Sequence, residues 1–170
     1  MPSNTDFKFY NYSMVSSEVH RISKEMEKLG INGAETAYNL LRPYAFKKDL
    51  FQWMALWDQG CIFIDAKMGF NKTVADWIDF DHDEFITCGA PGMYTNNAIM
   101  AMTRHHPYGL LQVQNVIDKV NNRFYYEPYD ASGGKQLSNL NITGPDSIRT
   151  TFVQDHQLTW YNMRCYMEKN

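Results

Sequence analysis

The sequence predicts an α/β domain with a mostly parallel central sheet, and three observations predict it. Segments of strand and helix character alternate along the chain. The run Cys61-Ile62-Phe63-Ile64 is uniformly apolar and stops at Asp65, the pattern of a buried central strand that delivers a carboxylate at its C-terminal end. No repeat, low-complexity tract or linker divides the 170 residues, so 1–170 reads as a single domain.

Taken in order, Phe7 to Tyr12 alternates aromatic and polar side chains, which predicts a short strand. Val19, Ile22, Met26 and Leu29 then recur at helical spacing, with Ser16 or Ser17 as N-cap and Gly30 as the stop. Residues Ala34 to Leu41 predict a second, short helix closed by Pro43. In a third helix, Phe46, Leu50, Trp53, Met54 and Trp57 form one apolar stripe, and Gly60 ends it. Beyond the strand at 61–64, Phe85 to Cys88 predicts a second buried strand, while Tyr94 to Met102 is apolar without a decisive period. A helix begins at Pro107 with Leu110, Leu111, Val113, Ile117 and Val120 facing inward. Asn121 to Asn139 reads as a loop rich in Tyr and Gly, of a length that usually signals function. Thr143-Gly144-Pro145 suits a helix start, with Thr143 as cap and Pro145 in the first turn. The segment Leu158 to Met167 is apolar enough to dock back on the body.

Composition narrows the function classes. Hydrophobic residues at 44% and charged residues at 21% exclude a disordered chain and a coiled coil. A formal charge of −3 leaves no electrostatic footprint for nucleic acid. No apolar run approaches the roughly 20 residues that a membrane helix needs, so no transmembrane segment is expected. Cys61, Cys88 and Cys165 are odd in number and widely spaced, which supports neither a disulfide framework nor a zinc site. Free thiols and a start without a basic and apolar leader point to the cytoplasm. The Asn-X-Ser/Thr triplets at Asn11, Asn71 and Asn141 read as chance matches in an Asn-rich chain. Aromatics reach 15% with eleven Tyr, which suits a core and equally a groove that stacks on sugars or bases.

From Pro43 to Asp65 the chain resembles glycosyltransferase family 32, the relatives of yeast mannosyltransferases and bacterial capsular-polysaccharide transferases. That family's pattern reads A-x-K-A-D-L-x-R-Y, a short spacer, then G-G-x-Y-x-D-x-D or a D-x-K variant. Ala45, Lys47, Asp49 and Leu50 match the first half, and Gly60, Phe63 (for Tyr) and Asp65 match the second. Downstream, Asn97-Ala98-Ile99-Met100-Ala101 with His106-Pro107 is similar to the family's N-x-x-M-A-x-x-x-x-H-P segment, and Thr143-Gly144-Pro145 to its late T-G-P turn. Together these cover roughly residues 35 to 150. Relatives open with an apolar strand of the I-P-K-I-I-H-Q-x-W type, which nothing in residues 1 to 15 resembles. The resemblance therefore implies a GT-A-like nucleotide-sugar transferase fold that lacks the usual N-terminal strand.

It also implies a site. A nucleotide-sugar donor has a diphosphate leaving group whose developing charge a divalent cation neutralises, held by carboxylates at a strand end. Asp65 is then the metal and donor carboxylate with Mn²⁺ or Mg²⁺; otherwise it is a capping residue. Asp49 corresponds to the family Asp that meets the donor; otherwise it caps the helix or pairs with Lys47 or Lys48. Asn97 would hydrogen-bond donor hydroxyls, with Asn96 beside it. Thr143 and Gly144 would lend backbone N–H groups to phosphate, and Tyr126 in the aromatic loop would frame the acceptor. Two substitutions depart from the pattern: Lys67 stands for the second Asp, where it either pairs with phosphate or faces solvent, and Gln52 stands for the family's Arg.

Other clusters weigh less. Asp79 to Glu84 spells D-x-D twice but reads as a solvated acidic turn. His105 and His106, being adjacent, cannot face one ion from a regular element. His156 is a remote metal candidate, and Gly89 to Gly92 lacks the Lys of a phosphate-binding loop. The expected function is transfer of a hexose from a UDP- or GDP-sugar to a glycan, lipid or protein acceptor. A degenerate binding subunit of the same fold is the alternative.

Overall fold

Asn11 starts the first helix. Its side chain accepts a hydrogen bond from the Met14 N–H at 3.0 Å, and α1 runs Tyr12–Glu27. In this computed structural model the residues described are 6–66, 68, 73–76, 78–90, 93–123, 142–144, 147–148, 151 and 164–166. Val15, Val19, Ile22 and Met26 form the buried face of α1. The strand expected at Phe7 to Tyr12 is not formed: residues 6–11 have no regular structure, and Tyr12 is already helical. An alternating pattern is stable as a strand only against a neighbouring strand. Here Phe7 and Phe9 stay exposed, and Asn11 supplies a cap five or six residues ahead of the expected serines.

Helix α2 spans Ala34–Leu40, and α3 spans Tyr44–Gln59. Rather than showing one apolar stripe, α3 is buried continuously from Asp49 to Asp58. It packs against α1 and α2, against helix α4 (Pro107–Asn121), and against two strands of the sheet. A helix enclosed on every side is apolar all round; Asp49, Gln52 and Asp58 are therefore the exceptions that need partners. Gly60 closes α3 at φ +62°, and a Cβ there would lie 2.4 Å from the Arg104 backbone nitrogen. On α4 the buried positions are Gly109, Gln112, Val113, Val116, Ile117 and Val120, while Leu110 and Leu111 are only half-buried.

The sheet corrects the predicted fold class. Strand β1 (Ile62–Ile64) pairs antiparallel with β3 (Met93–Met102), as does β2 (Phe85–Ala90), and the short β4 (Arg164–Tyr166) adds a parallel pairing to β2. The order is β1-β3-β2-β4, so the sheet is mainly antiparallel, not the mostly parallel sheet of a GT-A-like fold. β1 stands at its edge, not its centre. Two residues separate Ala90 from Met93, which leaves room for a hairpin but not for the crossover that parallel neighbours require. The apolar character of β1 has another source: Phe63 packs on the main core and Ile62 on a second cluster of Val74, Ile78, Ile86 and Ala101. No described helix is long and apolar enough to cross a membrane.

Candidate functional site

Asp49 and Gln52 lie three residues apart on α3 and so share a face, which meets β3 at Asn97. The Gln52 amide donates to the Asn97 carbonyl oxygen at 2.7 Å, and the Asn97 side-chain amide donates to Asp49 Oδ1 at 2.9 Å. From the far end of the described chain, the Thr143 hydroxyl donates to Asp49 Oδ2 at 3.0 Å. Burial of Ile142 and Ile148 in the main core brings that segment against α3. The Gln52 side-chain oxygen is buried without a partner, an arrangement dictated by the need to point its N–H₂ at a carbonyl.

Lys48 completes the cluster. Its Nζ lies 3.2 Å from Asp49 Oδ1, 2.9 Å from Asp65 Oδ1, and 5.3 Å from the centroid of the Phe63 ring. Asp65 follows β1, and its backbone N–H donates to the Ala98 carbonyl at 2.8 Å, so β3 fixes it beside Asn97. The cluster has an inner and an outer layer: the Asp49 side chain is 4% exposed, those of Lys48 and Asp65 are 29% and 37%. Burial pushes the Asp49 carboxyl above the ordinary carboxylate range, against the opposing pull of Lys48 and Thr143. For Lys48, burial disfavours the charge, but the hydrogen bond it donates to Asp65 and the charges of Asp49 and Asp65 outweigh it and hold the ammonium above its usual value.

Asp49, Gln52, Asp65, Asn97 and Thr143, all singled out in the sequence, thus meet in one place. Asp49 sits in the inner layer, where it aligns its neighbours, and Asp65 faces outward. The buried Gly144 accepts from the Ile148 N–H at 3.1 Å, so its carbonyl opens a helical turn. Lys67, Tyr126, His156 and the aromatic loop from residue 124 onward lie outside the described residues. Lys48 is the residue sequence reasoning undervalued, as a mere neighbour of Asp49. A signal existed: it stands where the quoted pattern has Ala.

A divalent cation requires several oxygen ligands. Among the described residues, no group of three or more His, Cys, Asp or Glu side chains converges on one point. Asp65 is engaged by Lys48, and both oxygens of Asp49 already accept hydrogen bonds. This set of donors does not fit Mn²⁺ or Mg²⁺.

The remaining clusters behave structurally. Asp79 accepts from the Asp81 N–H and contacts His82 Nδ1 at 2.9 Å, while Asp83 accepts from the Asp79 N–H, so the acidic run folds onto its own backbone. His105 lies against Trp57, and His106 caps α4 by accepting the Tyr108 N–H at 3.2 Å. The two imidazoles therefore serve different neighbours.

No protein-family model matches this chain, and no match was found among curated proteins or among solved structures.

Proposed function

We propose that the chain is a glycosyltransferase that moves a hexose from a UDP- or GDP-linked donor to a hydroxyl of a glycan, lipid or protein. The observation that supports this reading is the single cluster in which Asp49, Asp65, Asn97 and Thr143 meet, four positions from separate segments that carry the family resemblance. In the reaction the bond from the hexose C1 to the diphosphate oxygen breaks, a bond from C1 to the acceptor oxygen forms, and the proton of the acceptor hydroxyl passes to the leaving diphosphate. Lys48 faces outward and meets the diphosphate charge. Asp65, beside it, accepts hydrogen bonds from sugar hydroxyls. Asp49, underneath, positions Lys48 and Asn97 and does not itself touch the donor. The divalent ion expected from the resemblance has no part in this reading, because the described donors do not fit it.

One observation favours a second reading, a degenerate subunit that binds a nucleotide-sugar or glycan without turnover: Lys48 already occupies one oxygen of Asp65. A thermal-shift screen against UDP, GDP and their common sugars, followed by a turnover assay on any hit, decides between them. The expected result is a rise in Tm with one nucleotide and its sugars that is lost in Asp65→Asn, with release of free nucleotide. A shift without release selects the binding subunit, and the absence of any shift overturns both readings.

A further inference from the structure

Surface lysines such as Lys24 and Lys28 pair with a single glutamate close by in sequence, with side chains 53% and 66% exposed. Lys48 differs in every respect that matters. It is less than a third exposed, it spans from α3 to the segment after β1, it serves two carboxylates at once, and the Phe63 ring lies within cation–π range. One of its carboxylates is nine-tenths buried and fixed by Asn97 and Thr143.

Two carboxylate oxygens converging on one positive centre is the arrangement a small cation would otherwise complete. We infer that the Lys48 ammonium is the built-in cation of this cluster, occupying Asp65 in place of a divalent ion, so that an ion binds at Asp65 only when Lys48 is removed. The competition is intramolecular. Lys48 is tethered by its own helix within 2.9 Å of Asp65, whereas a dissolved ion must displace it. Any ion that did not displace it would sit beside a fixed positive charge in a partly desolvated site, where like-charge repulsion is weakly screened. Removing the ammonium frees Asp65 Oδ1, while Asp49 Oδ1 keeps the Asn97 amide; a hard cation entering there would take Asp65 as its protein ligand and complete its shell with water. The inference concerns the same cluster as the proposed function but does not depend on sugar transfer.

The test reads metal binding directly. The full chain is titrated with Mn²⁺ while the electron-spin-resonance signal of the free ion is followed. The wild-type protein is expected to show no Mn²⁺ binding that Asp65→Asn removes. Lys48→Met is expected to gain binding at least about tenfold tighter, and adding Asp65→Asn to that variant should abolish the gain. Lys48→Gln, which keeps a polar tip in the half-buried site, serves as the second variant, and far-UV circular dichroism verifies that each is folded. Wild-type Mn²⁺ binding that disappears in Asp65→Asn would overturn the inference. So would folded Lys48→Met and Lys48→Gln proteins that gain no affinity. A chain that binds no nucleotide-sugar would defeat the proposed function and leave this result standing.

Discussion

Replacing Asp49 with Ala removes a carboxylate that three donors use at once: the Asn97 amide, the Thr143 hydroxyl and the Lys48 ammonium. Their losses are unequal. Lys48 keeps Asp65 at 2.9 Å and remains partly solvated, so its share is small. Thr143 is fully buried and the Asn97 amide is part-buried, and each loses the hydrogen bond it makes to this carboxylate. An unsatisfied buried donor costs about 1–3 kcal/mol. Against this stands the relief from burying a carboxylate, whose cost is visible in the upward displacement of the Asp49 pKa. The balance is a destabilisation of about 2 kcal/mol for Asp49→Ala and about 1 kcal/mol for Asp49→Asn, which retains one acceptor. Urea unfolding followed by tryptophan fluorescence measures it, since Trp53 and Trp57 are buried on this same helix. An unchanged m value with a lowered midpoint is the expected form. Asp49→Ala within about 0.5 kcal/mol of wild type would refute the reasoning, because surface substitutions already produce changes of that size.

Two further outcomes follow from the geometry. Burial holds the His106 imidazole below its ordinary pKa of 6.5, and its neutral ring caps α4, so the native state binds fewer protons than the unfolded chain as pH falls through 6.5. Stability from this group is present above pH 6.5 and is lost as pH drops toward the lowered native value. Urea midpoints measured from pH 7.5 to 5 should therefore decline, and His106→Asn, which caps without titrating, should flatten part of that slope. Gly60→Ala should cost more than about 2 kcal/mol in the same assay, because it combines a left-handed backbone with a Cβ 2.4 Å from the Arg104 nitrogen; a neutral result would mean that this junction yields.

Several elements were legible from the chain alone, and the reasons are local. Helices α2 and α3, the start of α4 and the strand at Phe85 each carry their own period, cap or stop within a few residues. The site was partly legible as well. Asp49, Gln52, Asp65, Asn97 and Thr143 were chosen from the resemblance, and they come together although no pattern in the chain measures distance between them. Lys48 was legible only as a charge beside Asp49, since its second partner lies 17 residues further on. The expected strand at Phe7 failed for a related reason: alternation describes which faces a strand would have and does not provide the neighbour that would hold it.

By itself, then, the sequence determined the helices from Ala34 to Gln59 and at Pro107, the strands at Ile62 and Phe85, and which polar residues are candidates for chemistry, because hydrophobic period, capping and turn preference act over a few bonds. Only the tertiary structure decided that the sheet is mainly antiparallel, that Cys61 to Ile64 leads into an edge strand, and that Lys48 closes on Asp65. An apolar strand pairs equally well in either direction until the length of its connections and the surface it covers select one. Likewise, a lysine is only a surface charge until two carboxylates, set in place by packing elsewhere, leave it no better position.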